Sequence, residues 1–203
     1  ESFIKHGISK EKLLQNPYGV DLTMFNATKL SEDNNYDVIM VGGWRYEKGC
    51  DLLIEYFKNS DLTFLHVGSI VNLDFPNVDN MTHVDSVDQK QLINYYKQAR
   101  VFALPSRAEG LAMVQAQALM CGLPIVCSKD TGGRDLADFL EDKKWIIEME
   151  DFTIVSLHKS IQEALALSKT QIGLRSYAKN VESSLEWKAY AVRYNEMLKK
   201  ILN

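Results

Sequence analysis

The chain has 203 residues, 46% hydrophobic and 25% charged, enough to bury a sizeable core in one large domain or two small ones. Its 23 basic and 27 acidic side chains leave a net charge of −4, which gives no sign of nucleic-acid binding by bulk charge. No apolar run approaches the roughly 20 residues that span a bilayer. No signal peptide is visible, and Cys50, Cys121 and Cys127 are odd in number without C-x-x-C spacing, so neither a disulfide framework nor a zinc site is expected.

The chain opens ESFIKHGISKEKL without an initiator Met and reads as a fragment or domain of something longer. Next comes YDVIMV (Tyr36–Val41), a nearly continuous apolar run of the kind buried on both faces of a parallel sheet. A glycine-containing loop, VGGWRYEKG, leads into GCDLLIEYFKNS (Gly49–Ser60), with apolar residues at helical spacing. LTFLHV (Leu62–Val67) and MTHV (Met81–Val84) read as strands, DQKQLINYYKQA (Asp88–Ala99) as a helix and VFALP (Val101–Pro105) as a strand. LAMVQAQALMC (Leu111–Cys121) is helical and well delimited: Gly122 stands where a left-handed residue is wanted, and Pro124 prevents continuation. The strand PIVCS (Pro124–Ser128), the helix GRDLADFLE (Gly133–Glu141) and the strand WIIEM (Trp145–Met149) follow. The rest is helical, over Thr153–Leu167, roughly Thr170–Val181 and Glu186–Leu202. This alternation predicts an α/β fold, a doubly wound parallel sheet with extra C-terminal helices, ligands binding beyond the carboxyl ends of the strands. Residues 1–203 are read as one domain.

Glu109 falls between the strand Val101–Pro105 and the helix that follows it. Unpaired N–H groups and the positive end of the helix dipole converge there, a favourable place for an anion. Alone, Glu109 reads as a carboxylate stabilising a helix start and Gln117 as a partly exposed helix residue. Their spacing adds interest, because eight residues of helix rise about 12 Å, which resembles the separation of sugar and ribose in a nucleotide sugar. Lys48 and Arg45 alone read as solvated loop charges as readily as ligands. The loop's glycines, at 42, 43 and 49, do not form a G-x-G-x-x-G fingerprint, which weighs against dinucleotide binding. His6, His66, His83 and His158 are scattered without metal spacing and read as structural, and Trp44 reads as a packing residue.

PSRAEGLAMVQAQALMCGLPIV (Pro105–Val126) resembles the signature of family 4 retaining glycosyltransferases, P-S-x-x-E-G-x-G-x-x-x-x-E-A-x-A-x-G-x-P-V. NPYGVDLTMF, VGGWRYEKG, YYKQARVFALPS and TGG are similar to further family segments in the same order, and EWKAYAVRYNEMLKKIL is similar to its closing helix. The resemblance implies the C-terminal, donor-binding, Rossmann-like half of a two-domain GT-B fold, with residues 186–202 crossing to an N-terminal domain that binds the acceptor. It implies transfer of a sugar from a nucleotide-sugar donor, such as a UDP- or GDP-sugar, to an acceptor hydroxyl with retained configuration. No metal or other cofactor is expected, because basic side chains and helix amides hold the diphosphate.

Carried over by position, the resemblance gives Glu109 the transferred sugar's hydroxyls and the backbone of Gly110, Leu111, Ala112 and Met113 the sugar and phosphates. Lys48 is given the diphosphate, Gly42 and Gly43 a close backbone approach to it, the segment at Val84 the nucleobase and Gln117 the ribose. Three positions depart from the pattern: Gln117 replaces a glutamate, Ala112 a glycine, and Gly43 stands where an arginine is usual. Arg45, two residues on, is expected to supply that charge from another direction. The departures favour a second reading, a nucleotide-binding module that has lost its chemistry; Glu109 and Lys48 argue against it. A nucleotide-sugar epimerase of the same architecture is the third. The cytoplasm is the expected compartment, at the inner face of the membrane if the N-terminal domain makes a peripheral contact.

Overall fold

A computed structural model describes residues 2–14, 16, 18–26, 35–110, 112–140, 142–170 and 182–202. Six strands run parallel in one sheet: β1 (Tyr36–Val41), β2 (Phe64–Val67), β3 (Met81–Val84), β4 (Ala99–Leu104), β5 (Ile125–Cys127) and β6 (Ile146–Glu148). Their order is β3-β2-β1-β4-β5-β6. The chain builds outward from β1 to one edge, then returns to lay β4 against the other side of β1. The loops after β1 and β4 therefore diverge from one crevice, where doubly wound sheets bind ligands.

Between the strands lie α2 (Cys50–Lys58), α3 (Gln89–Tyr96), α4 (Met113–Met120) and α5 (Gly133–Ala137), with α1 (Ser2–Lys5) before them. After β6 come α6 (Ile154–Lys169), α7 (Glu182–Leu185) and α8 (Trp187–Leu202). The sheet supplies the core: Val38, Ile39, Met40, Phe64, Val101, Phe102, Ala103, Ile125 and Val126 are wholly buried. α6 packs across β4, β5 and β6 and beside α2, its first turn capped by the Thr153 hydroxyl, which accepts from Ser156 N–H.

Most expected elements are present, with shifted ends. α3 stops at Tyr96 rather than Ala99, because Ala99 already pairs with Tyr36 as β4 begins. α4 starts at Met113, two residues later than expected, with Ala112 extended before it. It ends as expected: Gly122 has φ +86°, its N–H bonds to Leu119 O, and Leu123 N–H bonds to Ala118 O. α5 ends at Ala137, and tight turns carry the chain on to the buried Leu140. The helix expected over Thr170–Val181 falls almost wholly outside the described residues.

α8 lies against the segment before the first strand. Val20 N–H donates to Leu185 O at 2.7 Å, Arg193 Nε to Asn16 Oδ1 at 2.9 Å, and Tyr18 stacks on Tyr190. No α8 side chain is fully buried. Among the described residues, no helix is long and apolar enough to cross a membrane.

Candidate functional site

The loop after β1 contains Gly42, Gly43, Arg45 and a single helical turn, Tyr46–Lys48; the loop after β4 runs from Pro105 to Gly110. They are bolted together. Ser106 Oγ donates to Glu47 O at 2.9 Å, and Arg107 N–H donates to the same carbonyl at 2.8 Å. The Arg107 guanidinium forks onto both Asp51 oxygens at 2.7 Å and is stacked between the rings of Tyr46 and Phe152. Gly49 has φ +75°, and a Cβ there would stand 1.9 Å from Pro105 O, so only glycine allows this approach.

A third loop completes the frame. Ser128 Oγ donates to Ser106 O, Glu109 N–H to Asp130 O at 2.8 Å, and Gly132 N–H to Gly110 O at 3.0 Å. These bonds fix the Glu109 backbone. A depression of about 530 Å³ opens here, lined by Arg107, Ala108, Glu109, Gly110 and Asp130.

Two sequence-expected residues meet directly. Lys48 Nζ is in contact with Glu109 Oε2, whose surroundings are otherwise dry, and both side chains are about three-quarters buried. Burial, and then the Arg45 guanidinium, push the Lys48 ammonium below the usual lysine range. An added anion would offset both influences.

Arg45 stands where its sequence position alone would not put it. A Cβ built on Gly43 would lie 3.2 Å from both Nε and a terminal nitrogen of the Arg45 guanidinium. The guanidinium thus fills the space a side chain at position 43 would take, with Nε buried and unbonded. Among the described residues Arg45 is in no ion pair.

At the start of α4, Met113 and Val114 N–H have no partner among the described residues, whereas Gln115 N–H turns back to Ala112 O. Those two donors, beside exposed Gly110, are available to an anion. Leu111 lies outside the described residues. Val84 ends β3, half-buried, its carbonyl accepting from Gly68 N–H. Gln117 faces inward: it is 4% exposed, and the Tyr96 hydroxyl lies 3.4 Å from its Oε1. It does not line the depression beside Glu109.

Other side chains matter here that the sequence motifs did not single out. Arg107 and Asp130 shape the depression, and Gln115, wholly buried, reaches Thr131 Oγ1 at 3.3 Å with its own Oε1 unbonded. Arg134, the second residue of α5, is a bidentate partner of Glu148, at 2.7 Å to each oxygen. His66 and His83 are not scattered: the pairing of β2 with β3 sets them side by side. A signal was available, since each is the penultimate residue of its strand. Trp44 is fully buried among Phe64, His66 and Phe75, and the three cysteines are buried free thiols, Cys50 pushed up to about 12 by burial.

A parallel sheet whose loops converge at its switch point defines the class as a Rossmann-like fold. Residues 24–181 match the family model described as Glycosyl transferases group 1. The chain belongs to this family. A relative described as an uncharacterized glycosyltransferase of Methanocaldococcus jannaschii is 24% identical over 136 residues, 61% of this chain and 38% of that protein. Sucrose-phosphate synthase from Thermosynechococcus elongatus superposes with a TM-score of 0.73 at 19% identity, over 99% of this chain and 56% of the other. WaaG, a glycosyltransferase involved in lipopolysaccharide biosynthesis, superposes at 0.65 and 17%, over 96% and 58%. The chain therefore has the GT-B Rossmann-like fold and spans little more than half of these solved structures, less of the curated relative.

Proposed function

We propose that this chain is the donor-binding half of a retaining glycosyltransferase that moves a sugar from a nucleoside diphosphate to an acceptor hydroxyl. The observation that carries the reading is the contact of Lys48 with Glu109, with Arg45 acting on Lys48 and α4 starting just after Glu109 with N–H groups that have no partner among the described residues. In the transfer, the bond from the anomeric carbon to the diphosphate oxygen breaks and its electron pair leaves with the diphosphate. A bond to the acceptor oxygen forms, and the acceptor's proton passes to the departing phosphate. Negative charge grows on the leaving group. Preorganised cations and amides in a partly dry site stabilise that charge without reorganising.

Lys48 and Arg45 are assigned the diphosphate, with Gly42 and Gly43 allowing its close approach. Glu109 is assigned the sugar hydroxyls, which a carboxylate accepts in pairs, and the backbone from Gly110 to Met113 the sugar and phosphates. Val84 marks the base-binding segment. Gln117, with Oε1 beside Tyr96, has its amide N–H groups left for the ribose. No metal is required in this scheme. The acceptor site is assigned to an N-terminal domain to which α8 would cross, and any peripheral membrane contact to that domain.

The same crevice supports a catalytically degenerate nucleotide-binding module through one observation, the burial of Gln117 against Tyr96. Calorimetric titration with UDP, GDP, ADP and their sugars tests the proposal. One nucleotide bound at least tenfold tighter than the others is expected for a transferase half, and no binding to any of them would overturn the assignment.

A further inference from the structure

Beneath the glycine loop after β1 lies a polar chain that the proposed transfer does not use. His66 is fully buried, yet both its ring nitrogens have partners. Nε2 is 2.8 Å from Gly42 O, and Nδ1 is 2.9 Å from His83 Nδ1. His83 Nε2 in turn is 3.3 Å from the exposed Asp85 carboxylate. A carbonyl only accepts, so His66 Nε2 carries a proton. The neutral ring then presents Nδ1 as an acceptor, and His83 Nδ1 donates.

The same carbonyl is pressed from another side. A Cβ on Gly68 would stand 2.1 Å from Gly42 O, so that position admits only glycine. Held by His66 and Gly68, the carbonyl points into the protein. Every described peptide bond is trans, which turns the Gly43 N–H the opposite way. That N–H has no hydrogen-bond partner among the described residues, and the Arg45 guanidinium lies against the same glycine.

We infer that His66, fixed in its tautomer by His83, is a positioning residue that locks the Gly42–Gly43 peptide with its N–H turned to the diphosphate. The inference rests on the donor-binding reading above. A proton added to His66 has only Nδ1 to take it, where it would oppose the His83 N–H and part the rings. His83 and, beyond it, Asp85 are the titratable groups that meet His66; Trp44 and Phe75 present only rings, and the β1 loop only its carbonyl. Burial pushes His66 down to about 4, so the lock holds at neutral pH and opens in acid.

The test is calorimetry of the chain with its preferred nucleoside diphosphate, for the wild type, His66→Phe and His66→Gln. His66→Phe should weaken binding about tenfold, the loss of one aligned donor, and His66→Gln, which keeps an N–H, should recover most of it. Equal affinity in all three overturns the inference while leaving the donor-binding reading intact. No diphosphate binding by the wild type sinks both. If His66→Phe does not fold, the wild-type Gly43 amide resonance decides: a downfield proton shift on adding diphosphate is expected, and an unmoved resonance in a saturated sample rejects the lock.

Discussion

Lys48 is held among opposing influences. Burial and Arg45 disfavour its charge, and Glu109 is its immediate partner. Lys48→Ala should therefore cost diphosphate affinity roughly tenfold to a hundredfold, the worth of a charge-assisted hydrogen bond, measured by calorimetry. Arg45 offers a sharper experiment, because its guanidinium lies where a side chain at position 43 would project. Arg45→Ala should weaken diphosphate binding, and adding Gly43→Arg should restore much of it; a double variant no better than the single would refute the idea that the two positions share one space. His66 links the site to pH. Its folded value lies below its ordinary one, so the unfolded chain binds more protons between about 6.5 and about 4. The stability it contributes is complete above pH 6.5 and is lost as pH falls toward 4, by roughly 3 kcal/mol at most. Urea unfolding across that range should show this slope in the wild type and a shallower one in His66→Gln.

At the scale of elements, the site is a meeting of three loops rather than a property of any one. Gly49 against Pro105 O, Ser106 against Glu47 O and Ser128 against Ser106 O draw the loops after β1, β4 and β5 onto one edge of the sheet. Gly49→Ala would force backbone apart in a left-handed conformation, costing roughly 2–4 kcal/mol. In a chain of this size that is a fall of roughly 5–15 °C in melting temperature, and diphosphate affinity should fall with it because Lys48 would move. The strands were legible because nearly unbroken apolar runs such as Tyr36–Val41 fit a sheet covered on both faces. Helix ends were less legible. α3 yields Ala99 to the sheet, since backbone pairing outweighs local propensity, and α4 starts two residues later than expected.

Across the whole molecule, the sheet order places β1 beside β4 and so opens the crevice at their carboxyl ends. The chain spans 56% of sucrose-phosphate synthase and 58% of WaaG, in keeping with an acceptor site assigned to another domain. The isolated chain should bind its nucleotide yet transfer sugar to no added acceptor above background. Radiolabelled donor turned over to glycosylated product by this chain alone would contradict that division of labour. α8, with Trp187, Tyr194 and Leu198 partly exposed, is the element assigned to the crossing.

The sequence alone determined the alternation of strands and helices and the left-handed stop at Gly122, and it singled out Glu109 and Lys48 as candidates, because these depend on local patterning and short motifs. Only the tertiary structure decided that Lys48 touches Glu109, that Arg45 occupies the space over Gly43, that Gln117 turns toward Tyr96 and that His66 meets His83. Each of those contacts depends on strand register or on loops converging from distant parts of the chain, and residue spacing along one segment carries no record of either.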